Sequence, residues 1–267
     1  MIDEKFLEGK VALITGAGGG FGREMAIAYA SKGADLVLND INMAGLEETQ
    51  KLVLKDYNVD IFLAKADISK SNEVNNMAKI VLEKFDNVFL LVNNAGIDGG
   101  LYKSLSASEE MYDKVMNVNV KGMWNVTRAF NRKMKRQRNF QPIRGKIINI
   151  ASCAGTHCGI NPMIGIYSAS KAAVIAFTKL WALELGPSNI TVNSISPGVF
   201  LTPIYKNDPK LIRQFLETRG VKLPIDKIGE AKEVADLALF LASPSADYMT
   251  GQNLILDGGL TISINKL

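Results

Sequence analysis

The chain has 267 residues, 47% of them hydrophobic and 22% charged, with a formal net charge of +4 from 31 basic and 27 acidic residues. That length and balance suit one globular domain with a sizeable core and exclude a disordered or low-complexity chain. No apolar run approaches the roughly 18 residues of a membrane span, so no membrane partner is expected.

The first ten residues are charged and lack an apolar leader pattern, which makes the cytoplasm the expected location. Two cysteines, Cys153 and Cys158, are too few for a disulfide framework, and with His157 between them they still fall short of a metal-ligand set. Charge is placed unevenly. No acidic residue lies between Asp113 and Glu184, an interval that carries twelve lysines and arginines. A solvated helix end around residues 132–138 explains it, or a positive field that draws an anionic substrate or partner.

In chain order, Lys10-Val11-Ala12-Leu13-Ile14-Thr15 is a short apolar run ended by glycines, the pattern of a buried strand. Gly16, Gly18, Gly20 and Gly22 punctuate the next segment. A helical pattern follows through Met25, Ala26, Ala28 and Tyr29, then a second strand over 35–39 closed by Asp40. Strand, glycine turn, helix, strand and acid form a βαβ unit with a dinucleotide fingerprint. The glycines let backbone approach a pyrophosphate, whose charge the helix N-terminus favours.

The alternation continues. Helices are expected over 44–57 and 70–85 around a strand over 60–65 that ends in Asp67, and a strand over 88–92 runs into Asn93-Asn94-Ala95-Gly96. One long helix through 115–134 precedes a strand over 145–150 and a helix opening near Tyr167. A strand over 190–195 stops at Pro197-Gly198, a helix covers 232–242, and the last strand, 253–256, leads into Asp257-Gly258-Gly259. Strands that alternate with helices predict an α/β fold, a single-domain doubly wound parallel sheet with helices on both faces, spanning residues 1–267. Residues 203–223 mix lysine and arginine with Leu211, Phe215 and Leu216, which predicts an amphipathic lid with an apolar face over a substrate pocket.

Chemistry concentrates between Ile150 and Lys179. On a helix, Tyr167 and Lys171 are four apart and share a face. A free phenol has a pKa near ~10, and an ammonium beside it favours the phenolate, so the pair can form a tuned general acid/base. Ser152 offers a hydroxyl to a carbonyl oxygen. Alone, such a Tyr/Lys spacing more often marks an aromatic packed beside a solvated lysine, and the surrounding motifs are what give it weight.

Those motifs resemble the short-chain dehydrogenase/reductase family over nearly the whole chain. Thr15-Gly16-Ala17-Gly18-Gly19-Gly20-Phe21-Gly22 matches the family's TGxxxGxG, and Asn93-Asn94-Ala95-Gly96 its NNAG step, which supports the central strand. Asn119, Ser152, Tyr167 and Lys171 match its catalytic tetrad, Pro197-Gly198 with Thr202 the loop over the nicotinamide, and Asp257-Gly258-Gly259 a C-terminal turn. The resemblance implies a Rossmann fold and hydride transfer between nicotinamide C4 and a secondary alcohol or ketone. Hydroxysteroids, 3-oxoacyl thioesters, sugars and small alcohols are the candidate substrates. Tyr167 would pass the proton, Ser152 hold the carbonyl oxygen, Lys171 tune Tyr167 and bind ribose, and Asn119 anchor a water reaching Lys171. Cofactor contacts would come from Gly16, Gly18, Gly20, Phe21, Gly22, Asp40, Asp67, Ile68, Asn94, Ala95, Gly96, Pro197, Gly198 and Thr202, besides Tyr167 and Lys171. It also implies a homotetramer, or a homodimer, built on the helices of Asn119 and Tyr167.

Asp40 predicts NAD as the cofactor, because a carboxylate at the end of the second strand accepts from ribose hydroxyls and repels a 2′-phosphate. Gly19 and Ile41 stand where NADP users place a base, and Arg23 is expected to be solvated. Two departures from the family stand out. Ser152 and Tyr167 are 15 residues apart, about two more than usual, and Phe89 replaces a frequent Asp, which reads as local packing. Alternative readings are a catalytically inactive dinucleotide-binding regulator and a nucleic-acid binder using the basic 128–146 stretch. The intact tetrad argues against the first, and the absence of a recognition module against the second.

Overall fold

The computed structural model describes residues 5–137, 140, 142–157, 163–201, 208–218 and 223–263. Seven strands, β1 (Val11–Thr15), β2 (Asp35–Asp40), β3 (Ile61–Lys65), β4 (Leu90–Asn93), β5 (Gly145–Ile150), β6 (Ile190–Pro197) and β7 (Asn253–Leu256), form one sheet. Every pairing is parallel and the order is β3-β2-β1-β4-β5-β6-β7. The helices are α1 (Gly20–Ala30), α2 (Met43–Asp56), α3 (Ser71–Lys84), α4 (Glu109–Met116), α5 (Met123–Arg136), α6 (Gly165–Leu185), α7 (Pro209–Thr218) and α8 (Ala231–Ala242).

β1, β4, β5 and β6 are buried at every position, because helices cover both faces of the sheet. The two-residue period of the strands sorts their side chains into two cores. Ala12, Ile14, Leu36 and Leu38 join Met25 of α1 and Val234 of α8, whereas Val11, Leu13 and Val37 join Val74 of α3, Phe130 of α5 and Trp181 of α6. A buried polar chain ties the second layer to the sheet. Asn93 donates to Thr127 at 3.0 Å and to Asn149 at 2.8 Å, and Asn149 donates to Thr178 at 2.9 Å. Strand order reverses between β1 and β4, which opens a crevice at their C-terminal ends.

Three expectations change. The helix expected over 115–134 begins at Glu109 and is interrupted by a π-helical turn over Asn117–Gly122 before α5. Asn119 lies in that turn with its side chain spent on neighbouring segments, a usual setting for such bulges. The inward face of α7, within the segment expected as a lid, is carried by the fully buried Ile212 and by Leu216, whereas Leu211 is 41% exposed. Ile212 and Leu216 pack with Cys153, Ile228 and Leu260 in a third, smaller apolar cluster. The rest of the expected lid, apart from Asp208 and Leu223, lies outside the described residues.

The acid-free interval does not form one positive face. Lys146 is buried, 2.6 Å from Asp247 and bonded to the carbonyls of Leu241 and Ser243. Burial lowers its pKa, against the pull of Asp247. Lys171 is buried on α6. The basic last turn of α5 lies beside the N-terminal ends of β4 and β5, where Gln137 bonds Val88 and Arg144 bonds the Lys135 carbonyl. The crevice is at the other end of those strands. Phe89 is packing, as expected: it is buried, edge-on to Phe140 at 5.1 Å, with the Lys10 ammonium 4.4 Å from its ring centroid.

Candidate active site

At the end of β1 the chain turns so tightly that two positions admit only glycine. A Cβ on Gly22 would lie 2.1 Å from the Gly16 carbonyl oxygen, and Gly16 has φ +67° with the Asn94 amide 2.8 Å from where its Cβ would be. Thr15 locks the neighbouring strand: its hydroxyl accepts from the backbone N–H of Asn94 and Ala95 at 3.0 and 3.1 Å. Asn94 donates in return to the carbonyls of Thr15 and Gly16. Above this turn there is open space, since a Cβ on Gly19 or Gly20 would meet nothing within 4 Å. The N-terminus of α1 has no side-chain cap and no acidic residue in its first turn, so its N–H groups remain available to an anion. Phe21 packs edge-on against Phe200 at 5.4 Å, which joins the turn to the loop after β6.

Asp40 ends β2 beside the turn. Its carboxylate accepts from the N–H of Gly18 and of Asn42, both at 3.0 Å. Arg23 is not solvated as expected: it is pinned by Glu48 at 2.6 Å, the Gly18 carbonyl and Thr49. Asp67 follows β3 and accepts from the Ser69 hydroxyl and N–H at 2.7 and 3.0 Å. Partial burial pushes its carboxyl up, but Ser69 and the Lys70 ammonium together hold it below the usual carboxylate range. Ile68 is buried, and its carbonyl accepts from Asn125 of α5 at 3.0 Å.

The second half of the crevice gathers Asn119, Ser152, Tyr167 and Lys171. Asn119 accepts from the Ile97 N–H and donates to the Ile97 carbonyl, both at 2.8 Å, and donates to the Ser170 hydroxyl at 2.9 Å. Lys171, 4% exposed, donates to the Ile150 carbonyl at 2.7 Å, and its Nζ stands 5.7 Å from the Tyr167 ring centroid. Burial lowers its pKa from 10.5 to about 8. A Cβ on Gly96 would lie 3.2 Å from both Asn119 Oδ1 and Lys171 Nζ, so these two groups flank one backbone position of the NNAG step. Ser152 leaves β5 and accepts from the Ala154 N–H at 3.2 Å. The turn that follows it, Cys153–Gly155, presses on α6: a Cβ on Gly155 would lie 2.7 Å from the Lys171 carbonyl carbon. Tyr167 is half-buried in the first turn of α6.

Gly198 donates to the Leu256 carbonyl at 2.9 Å and lies against Asp257, so the Pro197-Gly198 step meets the C-terminal turn. Thr202 falls outside the described residues. Burial, helped by the charge of Asp257, pushes the Cys153 thiol up to about 11, which leaves it unreactive. Two contributors have roles that only the fold reveals. Thr15 was only the first letter of a motif, and Ser170, bonded to Asn119 and to the Tyr167 carbonyl, makes its contact across 51 residues.

Residues 16–261 match the family model described as enoyl-(acyl carrier protein) reductase. The 3-oxoacyl-acyl-carrier-protein reductase FabG of Thermotoga maritima is 38% identical over 262 residues, covering 96% of this chain and 99% of that protein. The NAD-dependent glycerol dehydrogenase of Listeria innocua is 37% identical over 254 residues, covering 95% and 94%. Among solved structures, levodione reductase superposes with a TM-score of 0.86 at 32% identity, covering 97% of this chain and all of that one. With its parallel sheet, its glycine turn and this match over almost its whole length, the chain belongs to the short-chain dehydrogenase/reductase family and is an oxidoreductase of the kind that binds a nicotinamide dinucleotide.

Proposed function

We propose that the protein interconverts a secondary alcohol and a ketone with NAD(H), using Asn119, Ser152, Tyr167 and Lys171. The observation that carries this reading is the buried Lys171 ammonium, held on the Ile150 carbonyl beside the Tyr167 ring. Keeping a lysine only 4% exposed costs stability, and its position next to a phenol is what that cost would serve. Below about pH 8 the ammonium is charged and favours the Tyr167 phenolate, so the phenol can give or take a proton near neutral pH. Ser152 supplies a hydroxyl for the oxygen on which negative charge builds. Asn119 keeps the 96–98 backbone and Ser170 in register with Lys171.

A nicotinamide dinucleotide fits the crevice. The open glycine turn and uncapped α1 N-terminus suit a pyrophosphate. Asp40 suits the adenosine ribose, Asp67 and Ile68 the adenine side, and Asn94, Ala95, Gly96, Pro197 and Gly198 the nicotinamide side. When bound, the cofactor supplies or accepts the hydride. NAD is favoured over NADP because the Asp40 carboxylate would face a 2′-phosphate, which costs on the order of 10- to 1000-fold in affinity. The relatives are named for activity on 3-oxoacyl-acyl-carrier-protein, glycerol and diacetyl. The substrate is therefore set by what differs locally, above all α7 and the longer segment between Ser152 and Tyr167.

The test is a ketone and alcohol panel drawn from steroids, 3-oxoacyl thioesters, sugars and small alcohols, assayed with each cofactor. Turnover with at least one class, at a kcat/KM tenfold or more higher with NAD(H), is expected. Equal use of NADP(H), or no turnover with any class despite cofactor binding, would contradict the reading.

A further inference from the structure

A second acid guards the glycine turn from the far side. Arg23, near the start of α1, is 20% exposed, and its Nη2 lies 2.6 Å from the carboxylate of Glu48 on α2. The same Nη2 donates to the Gly18 carbonyl at 2.9 Å, and Nε donates to the Thr49 hydroxyl at 3.1 Å. Thr49 is fully buried, and its one hydroxyl proton is shared between the carbonyls of Ala17 and Gly45 at 2.8 and 3.0 Å. The first turn of α2 presses on the same spot, since a Cβ on Gly45 would lie 2.6 Å from the Gly18 oxygen. Gly18 thus meets Asp40 through its N–H and Arg23 through its carbonyl. The two side chains bind the two backbone poles of one residue.

From this arrangement we infer that Glu48 is a specificity-determining residue, which neutralises Arg23 and so denies a 2′-phosphate its nearest guanidinium. The inference rests on the reading that Asp40 faces the adenosine ribose. A guanidinium matches phosphate oxygens two at a time and is never deprotonated, so an unopposed Arg23 at this place would offset the repulsion from Asp40. Paired with Glu48 it contributes almost no net attraction, and its tethers to Gly18 and Thr49 hold it on the loop. Selection against NADP is then built twice, as a repulsive carboxylate and as a cancelled cation. Because Glu48 is 60% exposed, water screens it and its share is the smaller of the two.

The experiment compares wild type, Asp40→Ala, Glu48→Gln, the double variant, and the double variant with Arg23→Ala. Calorimetry gives Kd for NAD and NADP and for 5′-AMP against 2′,5′-ADP; kcat/KM is read for both cofactors. Glu48→Gln should improve NADP and 2′,5′-ADP binding about three- to tenfold over its parent, in both backgrounds, and Arg23→Ala should erase that gain. Glu48→Ala serves as a second variant for the same comparison, with melting curves confirming the fold. No gain from either Glu48 variant, or a gain that survives loss of Arg23, overturns the inference. Because the Glu48 effect is a ratio to its own parent, it is read separately from the Asp40 reading. That reading fails on its own if wild type binds both cofactors equally.

Discussion

Among single residues, Lys171 is destabilised by its own burial. Its pKa falls from 10.5 in a free chain to about 8 here because burial disfavours the ammonium. The unfolded chain therefore holds one more proton than the folded one between about pH 8 and 10.5. Stability from this group rises with pH across that window, and the full penalty, on the order of 3 kcal/mol, applies below it. Lys171→Met removes the penalty and leaves the Ile150 carbonyl without its donor, worth about 1 kcal/mol. Without cofactor at pH 7, the variant should be about 1–2 kcal/mol more stable in denaturant while losing turnover. Its advantage should shrink as the pH rises from 8 to 10.5. A variant less stable than wild type at pH 7 would refute the burial argument. This residue was legible in the sequence because its i, i+4 spacing from Tyr167 is local and the motifs around it gave that spacing weight. Ser170 was not, because its partner Asn119 arrives from another helix.

At the scale of elements, the strands were readable nearly to the residue, since buried parallel strands are short apolar runs bounded by turn residues. β5 and β7 match expectation, and β6 runs two residues further than expected, to Pro197. The π-helical turn at Asn117–Gly122 was not readable. Its cause is tertiary: Asn119 bonds both polar groups of Ile97, and Gly122 lies against Ile68. Which side chains of α7 face inward was not readable for a similar reason, because that face is set by packing against Cys153 and Ile228 rather than by composition. Asn119→Ala deletes three hydrogen bonds that join the π turn, the 96–98 segment and α6. A loss of about 2–3 kcal/mol is expected, together with faster hydrogen exchange at the Ile97 amide. Unchanged exchange there would show that Asn119 does not order this junction.

For the whole molecule, the parallel, doubly wound sheet followed from the alternation of strands and helices. The distribution of charge did not: a run along the sequence becomes scattered once helix and strand turn successive lysines to different surfaces. Lys146 and Lys171 show it, since both ended up buried. Large apolar side chains stay exposed among charged ones on α5 and α6, with Trp124 39%, Leu180 51% and Leu183 77% exposed, whereas Trp181 packs within the chain. A cleft beside Trp124 is lined by Met116, Val120 and Phe177. A homotetramer or homodimer that covers these faces is our proposal. Light scattering should find an oligomer at micromolar concentration, and Trp124→Glu should shift it toward smaller species. A monomeric wild type would remove the proposal. The central claim is that this crevice moves a proton through Tyr167 beside a bound dinucleotide. Its most direct test is single-turnover kinetics of Tyr167→Phe on the best substrate of the panel, with cofactor Kd measured alongside. Cofactor binding within about threefold of wild type and a rate lowered by a factor of about 100 or more are expected. A variant that keeps a tenth of the wild-type rate would contradict the claim.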